Sequence, residues 1–183
     1  TELDRITGDG DLGASMKLAA QAVQNAVGSY PVDDTPATLK ALAHTLRREW
    51  GGSSGPLYGV FFLRCGTVLK NSGAELTQWA EAFDQGCRAI SELGGAKPGD
   101  RTMLDALDPF VQSLKTAKGE ASREVLLAAV ESAESRVEAP ARMTPRLGRP
   151  SYLGDRVLGY PDPRATAAAI WLRAASEALF PLQ

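Results

Sequence analysis

Apolar side chains recur along this chain at intervals of three and four, the spacing that gathers them on one face of an α-helix. Met16, Ala20, Val23 and Val27 form one such stripe, and Leu39, Leu42, Leu46 and Trp50 a second. The second has a marked start, because Thr35 suits an N-cap and Pro36 the first helical position. From Pro56 to about Asn71 the pattern changes: Leu57 to Leu63 is apolar on every side, which predicts a central, buried helix. Leu76, Trp79, Ala80, Phe83, Cys87 and Ile90 give a fourth stripe, Met103, Leu107, Val111 and Leu114 a fifth, and Leu126, Ala129, Ala133 and Val137 a sixth. A seventh helix is predicted from Pro163 to about Phe180, capped by Asp162, with Ile170, Ala174 and Ala178 on one face. No strand-like alternation of useful length is present. Seven helices joined mostly by short connections predict an all-α, up-and-down bundle or helical barrel.

Composition agrees: 28 Ala and 22 Leu stand against 10 Val and 3 Ile, so helix formers far outnumber β-branched aliphatics. The length, 183 residues, fits one domain, and neither an internal repeat nor an interdomain linker is visible. With 20 basic and 22 acidic residues the formal charge is −2, which gives no general attraction to nucleic acid or anionic lipid. No signal peptide is visible and no apolar run reaches the ~20 residues of a membrane span, so a cytoplasmic protein is expected. Cys65 and Cys87 sit inside apolar helical patterns and read as buried, inert thiols. His44, the single histidine, lies on or beside an apolar stripe and reads as structural. One histidine excludes Ser-His-Asp, Cys-His and multi-histidine metal chemistry.

Chemistry is expected in the connections, where function usually resides. Between Asp4 and Gly13 three carboxylates, Asp4, Asp9 and Asp11, fall within eight residues, separated by glycines and placed just before a helix. Like charges this close repel unless something positive sits among them, and a hard divalent cation with oxygen ligands fits. An acidic turn with Asx-type caps is the alternative, and the spacing does not make an EF-hand. Gly51-Gly52-Ser53-Ser54-Gly55-Pro56 opens onto the buried helix, and backbone N–H groups with hydroxyls at a helix start form an anion site. On that reading Ser54 and Gly55 approach phosphate too closely for larger side chains; on the other, the segment is an ordinary turn. The Walker lysine is missing. A fourth connection, Glu138 to Pro161, carries four prolines and three glycines across 24 residues and is expected to act as a lid ordered by its ligand.

Five segments also match a known family in its order. Leu3-Asp4 with Gly8-Asp9-Gly10-Asp11 and Gly13, then Gly51 to Phe62, Gly95 to Leu107, Ser151 to Arg156, and Gly159-Tyr160-Pro161-Asp162-Pro163 resemble the nucleotide-binding L domain of dihydroxyacetone kinases. The resemblance implies one L domain over residues 1–183 and an antiparallel barrel of about eight helices. It implies a nucleotide, ATP or tightly bound ADP, held through Mg2+ by Asp4, Asp9 and Asp11. Leu12, Gly13, Ala14 and Ser15, together with Ser53 and Ser54, would approach the phosphates; Gly94 and Met103 would line adenine and ribose; Arg149 and the Asp162-Pro163-Arg164 turn would close over the nucleotide.

Three positions depart from the pattern. Leu12 stands where the family has His, which leaves the backbone as its contact to phosphate. Arg164 stands where Gly is common, and would either add a cation near the nucleotide or point into solvent. The family's first helix precedes its first aspartate, so either the sequence starts inside the family's pattern or the barrel lacks a stave. The implied activity is phosphoryl transfer to a short ketose held by a separate K subunit, since the family's sugar-binding histidine has no equivalent here. ATP exchanging at every turnover, or ADP rephosphorylated by a phosphotransferase-system subunit, would both serve. A nucleotide-sensing regulator or acyl-binding module of the same fold is the competing reading.

Overall fold

The computed structural model describes residues 2–73, 75–118, 121–137 and 159–179. Eight α-helices and no strand occur among them: α1 (Glu2–Thr7), α2 (Leu12–Ala26), α3 (Thr35–Glu49), α4 (Ser54–Ser72), α5 (Leu76–Gly94), α6 (Leu104–Thr116), α7 (Arg123–Val137) and α8 (Pro163–Leu179). The seven periodic stripes correspond to α2 through α8. None of these helices is long and apolar enough to cross a membrane. The chain divides into two compact units, Gly13–Gly95 and a discontinuous one of Thr1–Leu12 with Ala96–Gln183.

In the first of these, α3, α4 and α5 follow one another in antiparallel contact, and glycines set how closely they approach. A Cβ at Gly55 would collide with the Trp50 carbonyl oxygen and lie 2.9 Å from that of Leu46, while one at Gly66 would lie 2.9 Å from Pro36 O. Position numbers rise along α4 as they fall along α3, the signature of antiparallel neighbours. On the other side of α4, the Phe61 ring occupies the space a side chain at Gly86 of α5 would need, 2.6 Å from the position of such a Cβ. Phe61 is fully buried, with Phe83 at 5.3 Å between ring centroids and Phe62 edge-on at 5.1 Å. Cys65 gives its thiol hydrogen to Ala82 O at 3.3 Å, and burial pushes that thiol well above the ordinary range, so it stays protonated and inert. Cys87 is buried as well.

In the discontinuous unit α6, α7 and α8 pack together and α1 lies against α8. The expected stripes of α6 and α7, from Met103 to Leu114 and from Leu126 to Val137, are all buried. Arg173 of α8 reaches Glu134 of α7 with two donors, at 2.6 and 2.5 Å.

Several expectations are corrected. The N-cap of α3 is Asp34, whose carboxylate accepts from Ala37 N–H at 3.0 Å, so Thr35 is already the first helical residue. On α8 the stripe Ile170, Ala174, Ala178 faces solvent, with Ile170 63% exposed; the buried face is Ala165, Ala168, Ala169, Leu172 and Ser176. Where nearly every position is alanine, a period of 3.6 can be drawn on any face, and the packing of Leu172 decides. In α2 only Ala19 of the described side chains is buried, while Met16 and Val23 are half-buried and Ala20 is exposed, as is Val27 in the 3-10 turn that follows. His44 is exposed on α3. The short helix α1, which carries Asp4, left no stripe because six residues are under two turns.

Candidate metal centre and the turns around it

Asp4 sits in α1 and is 6% exposed, whereas Asp9 and Asp11 lie in the following loop and are exposed. One carboxylate oxygen from each lies within 4.8 Å of the others. Two features of the backbone bring this about. Gly8 passes directly over Asp4, where a Cβ would stand 2.5 Å from Oδ1, so any side chain at position 8 displaces the carboxylate. Gly10 takes a left-handed φ of 79°, turning the chain so that Asp9 and Asp11 flank the same point. The Leu12 N–H, at the start of α2, donates to Asp4 Oδ2 at 2.9 Å and fixes its orientation. The Leu12 backbone amide, expected near phosphate, donates to Asp4 in this structure. Gly13, Ala14 and Ser15 complete the first turn of α2, whose N–H groups point out of the helix end.

In the unit 13–95, Ser53 is exposed and its carbonyl accepts from Leu57 N–H at 3.2 Å, while Ser54 is buried as the first residue of α4. The Trp50 and Leu46 carbonyls already require a glycine at 55, so its small size is not by itself a sign of phosphate approach. Gly94, the last residue of α5, would place a Cβ 3.3 Å from Leu57 Cδ2, one turn along α4 from Ser54. Ser53, Ser54 and Gly94 therefore share one end of that unit.

In the discontinuous unit the structure brings together two turns separated by about sixty residues. Met103 is 1% exposed and precedes α6. Asp162 is fully buried and caps α8, its Oδ1 accepting from Arg164 N–H at 2.9 Å and from Ala165 N–H at 3.0 Å. Arg164 neither points into solvent nor stands as an open cation: its Nη2 donates to Asp162 Oδ2 at 3.1 Å and to Arg101 O at 3.0 Å. Pro163 is buried as the first residue of α8. Arg149 and residues 138–158 of the expected lid, Glu138 to Pro161, lie outside the described residues; only 159–161 of it are described.

Arg101 was missed by sequence reasoning, although it lies inside a segment that carries the family resemblance. Its side chain is fully buried and its Nη2 donates to Tyr160 O at 2.9 Å. Burial pulls its guanidinium down from the ordinary arginine value, against the pull of Asp162 and Asp105 in the other direction, and Arg164 adds to the lowering. Burial likewise raises the Asp105 carboxyl, opposed by N–H bonds from Thr102 at 2.8 Å and Gly99 at 2.5 Å. The only available signal was an arginine in a Gly-Asp-Arg-Thr turn with no solvent-facing helix to hold it.

Known proteins place this geometry in a family. The model of the DAK2 domain matches residues 6–177. The triokinase/FMN cyclase of Rattus norvegicus is 42% identical over 180 residues, covering 97% of this chain and 31% of that protein. The ADP-binding subunit DhaL of the PEP-dependent dihydroxyacetone kinase of Escherichia coli is 35% identical over 176 residues, 94% of this chain and 84% of that one. Among solved structures, the dihydroxyacetone kinase of C. freundii in its native form superposes with a TM-score of 0.77 at 29% identity, covering 96% of this chain and 30% of that chain. The same enzyme in complex with AMP-PNP and Mg2+ gives 0.75 at 30% identity, with 29% of that chain covered. The chain spans about a third of the length of the triokinase relatives it matches. Matched over nearly all of its length, the chain belongs to the DAK2 domain family, and within it is related to the nucleotide-binding subunit of dihydroxyacetone kinases.

Proposed function

We propose that this chain is the nucleotide-holding part of a dihydroxyacetone or related short-ketose kinase. On this reading it binds Mg-ATP or Mg-ADP, and the terminal phosphate passes to a ketose on a separate K subunit or domain. The observation that carries it is the convergence of Asp4, Asp9 and Asp11 just before the first turn of α2. Oxygen ligands around Mg2+ at ~2.0–2.1 Å stand about 3 to 4 Å apart, so this trio fits with small side-chain adjustments. A Mg2+ held there would supply charge neutralisation for the phosphates. Asp4, oriented by the Leu12 amide, and the loop aspartates Asp9 and Asp11 supply its protein ligands.

The remaining roles follow from residue chemistry. The N–H groups of Gly13, Ala14 and Ser15 favour anionic phosphate at the positive end of α2, and the Ser53 and Ser54 hydroxyls can donate to it. Gly94 and Met103 are assigned to adenine and ribose, and Arg149 with Asp162, Pro163 and Arg164 to closure over the nucleotide. No side chain is required to form a covalent intermediate, because phosphoryl transfer needs mainly positioning and charge neutralisation. A nucleotide is supported by the ADP-binding role of the E. coli relative and by the C. freundii kinase in complex with AMP-PNP and Mg2+.

Calorimetric titration of Mg-ADP and Mg-ATP tests the reading, followed by phosphotransfer to dihydroxyacetone after a K subunit is added. No magnesium-dependent nucleotide binding would refute it. Binding without transfer would favour the regulatory or acyl-binding alternative. ADP retained through exhaustive dialysis would select the version in which a phosphotransferase-system subunit rephosphorylates bound ADP, and free exchange the ATP version.

A further inference from the structure

Arg101 combines two unfavourable states. Its φ of 58° is the one left-handed value at a non-glycine among the described residues, and its guanidinium is fully buried. Glycine would adopt that backbone without the Cβ penalty, and an apolar residue would fill the interior without the desolvation cost of a charge. A residue that satisfies neither preference is held by its surroundings, and backbone outliers of this kind concentrate where function needs a fixed geometry.

The bonds around Arg101 form a closed circuit. Its guanidinium donates to Tyr160 O in the turn before α8, while its own carbonyl accepts from Arg164 Nη2 in the first turn of α8. Arg164 is tied to Asp162, the cap of that helix. On the other side, Asp105 grips the N–H groups of Gly99 and Thr102, the residues flanking the left-handed turn. Two arginines, Arg101 and Arg164, thus meet two aspartates, Asp105 and Asp162, and the turn 99–103 is clamped to the turn 160–164 by side chain in one direction and by backbone in the other. A lysine at 101 would offer a point charge on a thinner stem and could not reproduce the planar fork.

We infer that Arg101 is a positioning residue for the nucleoside end of the nucleotide, locking the Met103 turn and the Asp162-Pro163-Arg164 turn into one rigid wall. The inference rests on the nucleotide reading above, and adds to it a residue that reading does not use. It implies an asymmetry: loss of the lock weakens recognition of base and ribose, but leaves the carboxylate trio and its metal-bound phosphates alone.

Arg101→Lys and Arg101→Gly test this. In both, calorimetry should show Mg-ADP binding at least tenfold weaker and Mg-pyrophosphate binding within twofold of the parent. Hydrogen exchange should accelerate together at the amides of Thr102, Arg164 and Ala165. A merely structural residue would lower the melting temperature without separating the two ligands. Equal losses for Mg-ADP and Mg-pyrophosphate, or unchanged Mg-ADP affinity in a folded variant, would overturn the inference while leaving the nucleotide reading intact. Failure of the parent protein to bind Mg-ADP would remove both. Should Arg101→Gly not fold, Arg101→Lys, which keeps the buried charge, decides alone.

Discussion

Gly55 and Gly51 lie four residues apart in one glycine-rich segment, yet the structure predicts opposite responses to alanine. At Gly55 the added methyl meets two carbonyl oxygens at the C-terminal end of α3, that of its cap Trp50 within collision distance and that of Leu46 at 2.9 Å. Both obstacles are backbone and cannot rotate away, so α3 and α4 must separate along a turn. Overpacking of this kind costs ~1–3 kcal/mol, and replacing a helical glycine returns about 1 kcal/mol. The balance is a loss of up to about 2 kcal/mol, toward the upper end because both obstacles are backbone, which for a chain of this size lowers the melting temperature by up to roughly 8 °C. At Gly51 nothing lies within 4 Å of the new methyl and φ is outside the left-handed region, so alanine should be neutral or stabilise by ~0.4–1 kcal/mol through the unfolded state.

Thermal melts followed by far-UV circular dichroism measure the pair, with Mg-ADP titration of both variants alongside. The packing account requires Gly55→Ala to melt lower than the parent and Gly51→Ala to melt at or above it. It would be refuted by a Gly55→Ala protein that keeps its melting temperature but loses Mg-ADP, because the glycine would then be making room for phosphate rather than for α3.

Asp9→Ala should abolish magnesium-dependent nucleotide binding with little change in melting temperature, since Asp9 is exposed in a loop and adds nothing to the core; Mg-ADP titration at parent affinity would remove it from the metal set. Gly8→Val should weaken Mn2+ binding, read by electron paramagnetic resonance, because the side chain displaces the Asp4 carboxylate; unchanged affinity would mean Asp4 is not a ligand. Asp105 predicts a pH dependence. Its folded carboxyl is raised by burial, so the folded state binds more protons than the unfolded one, and this group's contribution to stability falls as pH rises from its unfolded value of ~3.9 toward the raised folded value. Urea melts of Asp105→Asn against the parent across that range should show the difference between them shifting in the variant's favour as pH rises; a constant difference would contradict the raised value.

Most of the longer helices were legible because their apolar positions repeat over three or more turns, and α6 and α7 bury the very residues the pattern selects. Legibility failed where side chains are uniform or the element is short. In α8, seven of the residues between Ala165 and Ala178 are alanine, so periodicity chose Ile170, whereas contact with α6 and α7 buries Leu172. In α1 there are too few residues for a period. The cap of α3 moved by one position because Asp34 and Thr35 are both good caps in sequence, and only the bond to Ala37 N–H separates them.

The site divides along the same line. Asp4, Asp9 and Asp11 were legible because their geometry is local: eight positions, two glycines and one helix start bring three oxygens together. The pairing of the Met103 turn with the Asp162 turn was reachable only through family resemblance, since nothing in either segment names the other. What joins them is a torsion and a set of bonds spanning 59 and 63 positions, from Arg101 to Tyr160 and from Arg164 back to Arg101. A left-handed arginine is invisible in sequence because residue type argues against it; its conformation follows from Asp105 holding the amides on either side and from carbonyls and carboxylates arriving from the far end of the chain. Local chemistry therefore marks where a phosphate-bearing metal can sit, while long-range contacts shape the wall assigned to the rest of the ligand. That division is the physical reason substitutions at Asp9 and at Arg101 should be distinguishable by the ligand they discriminate.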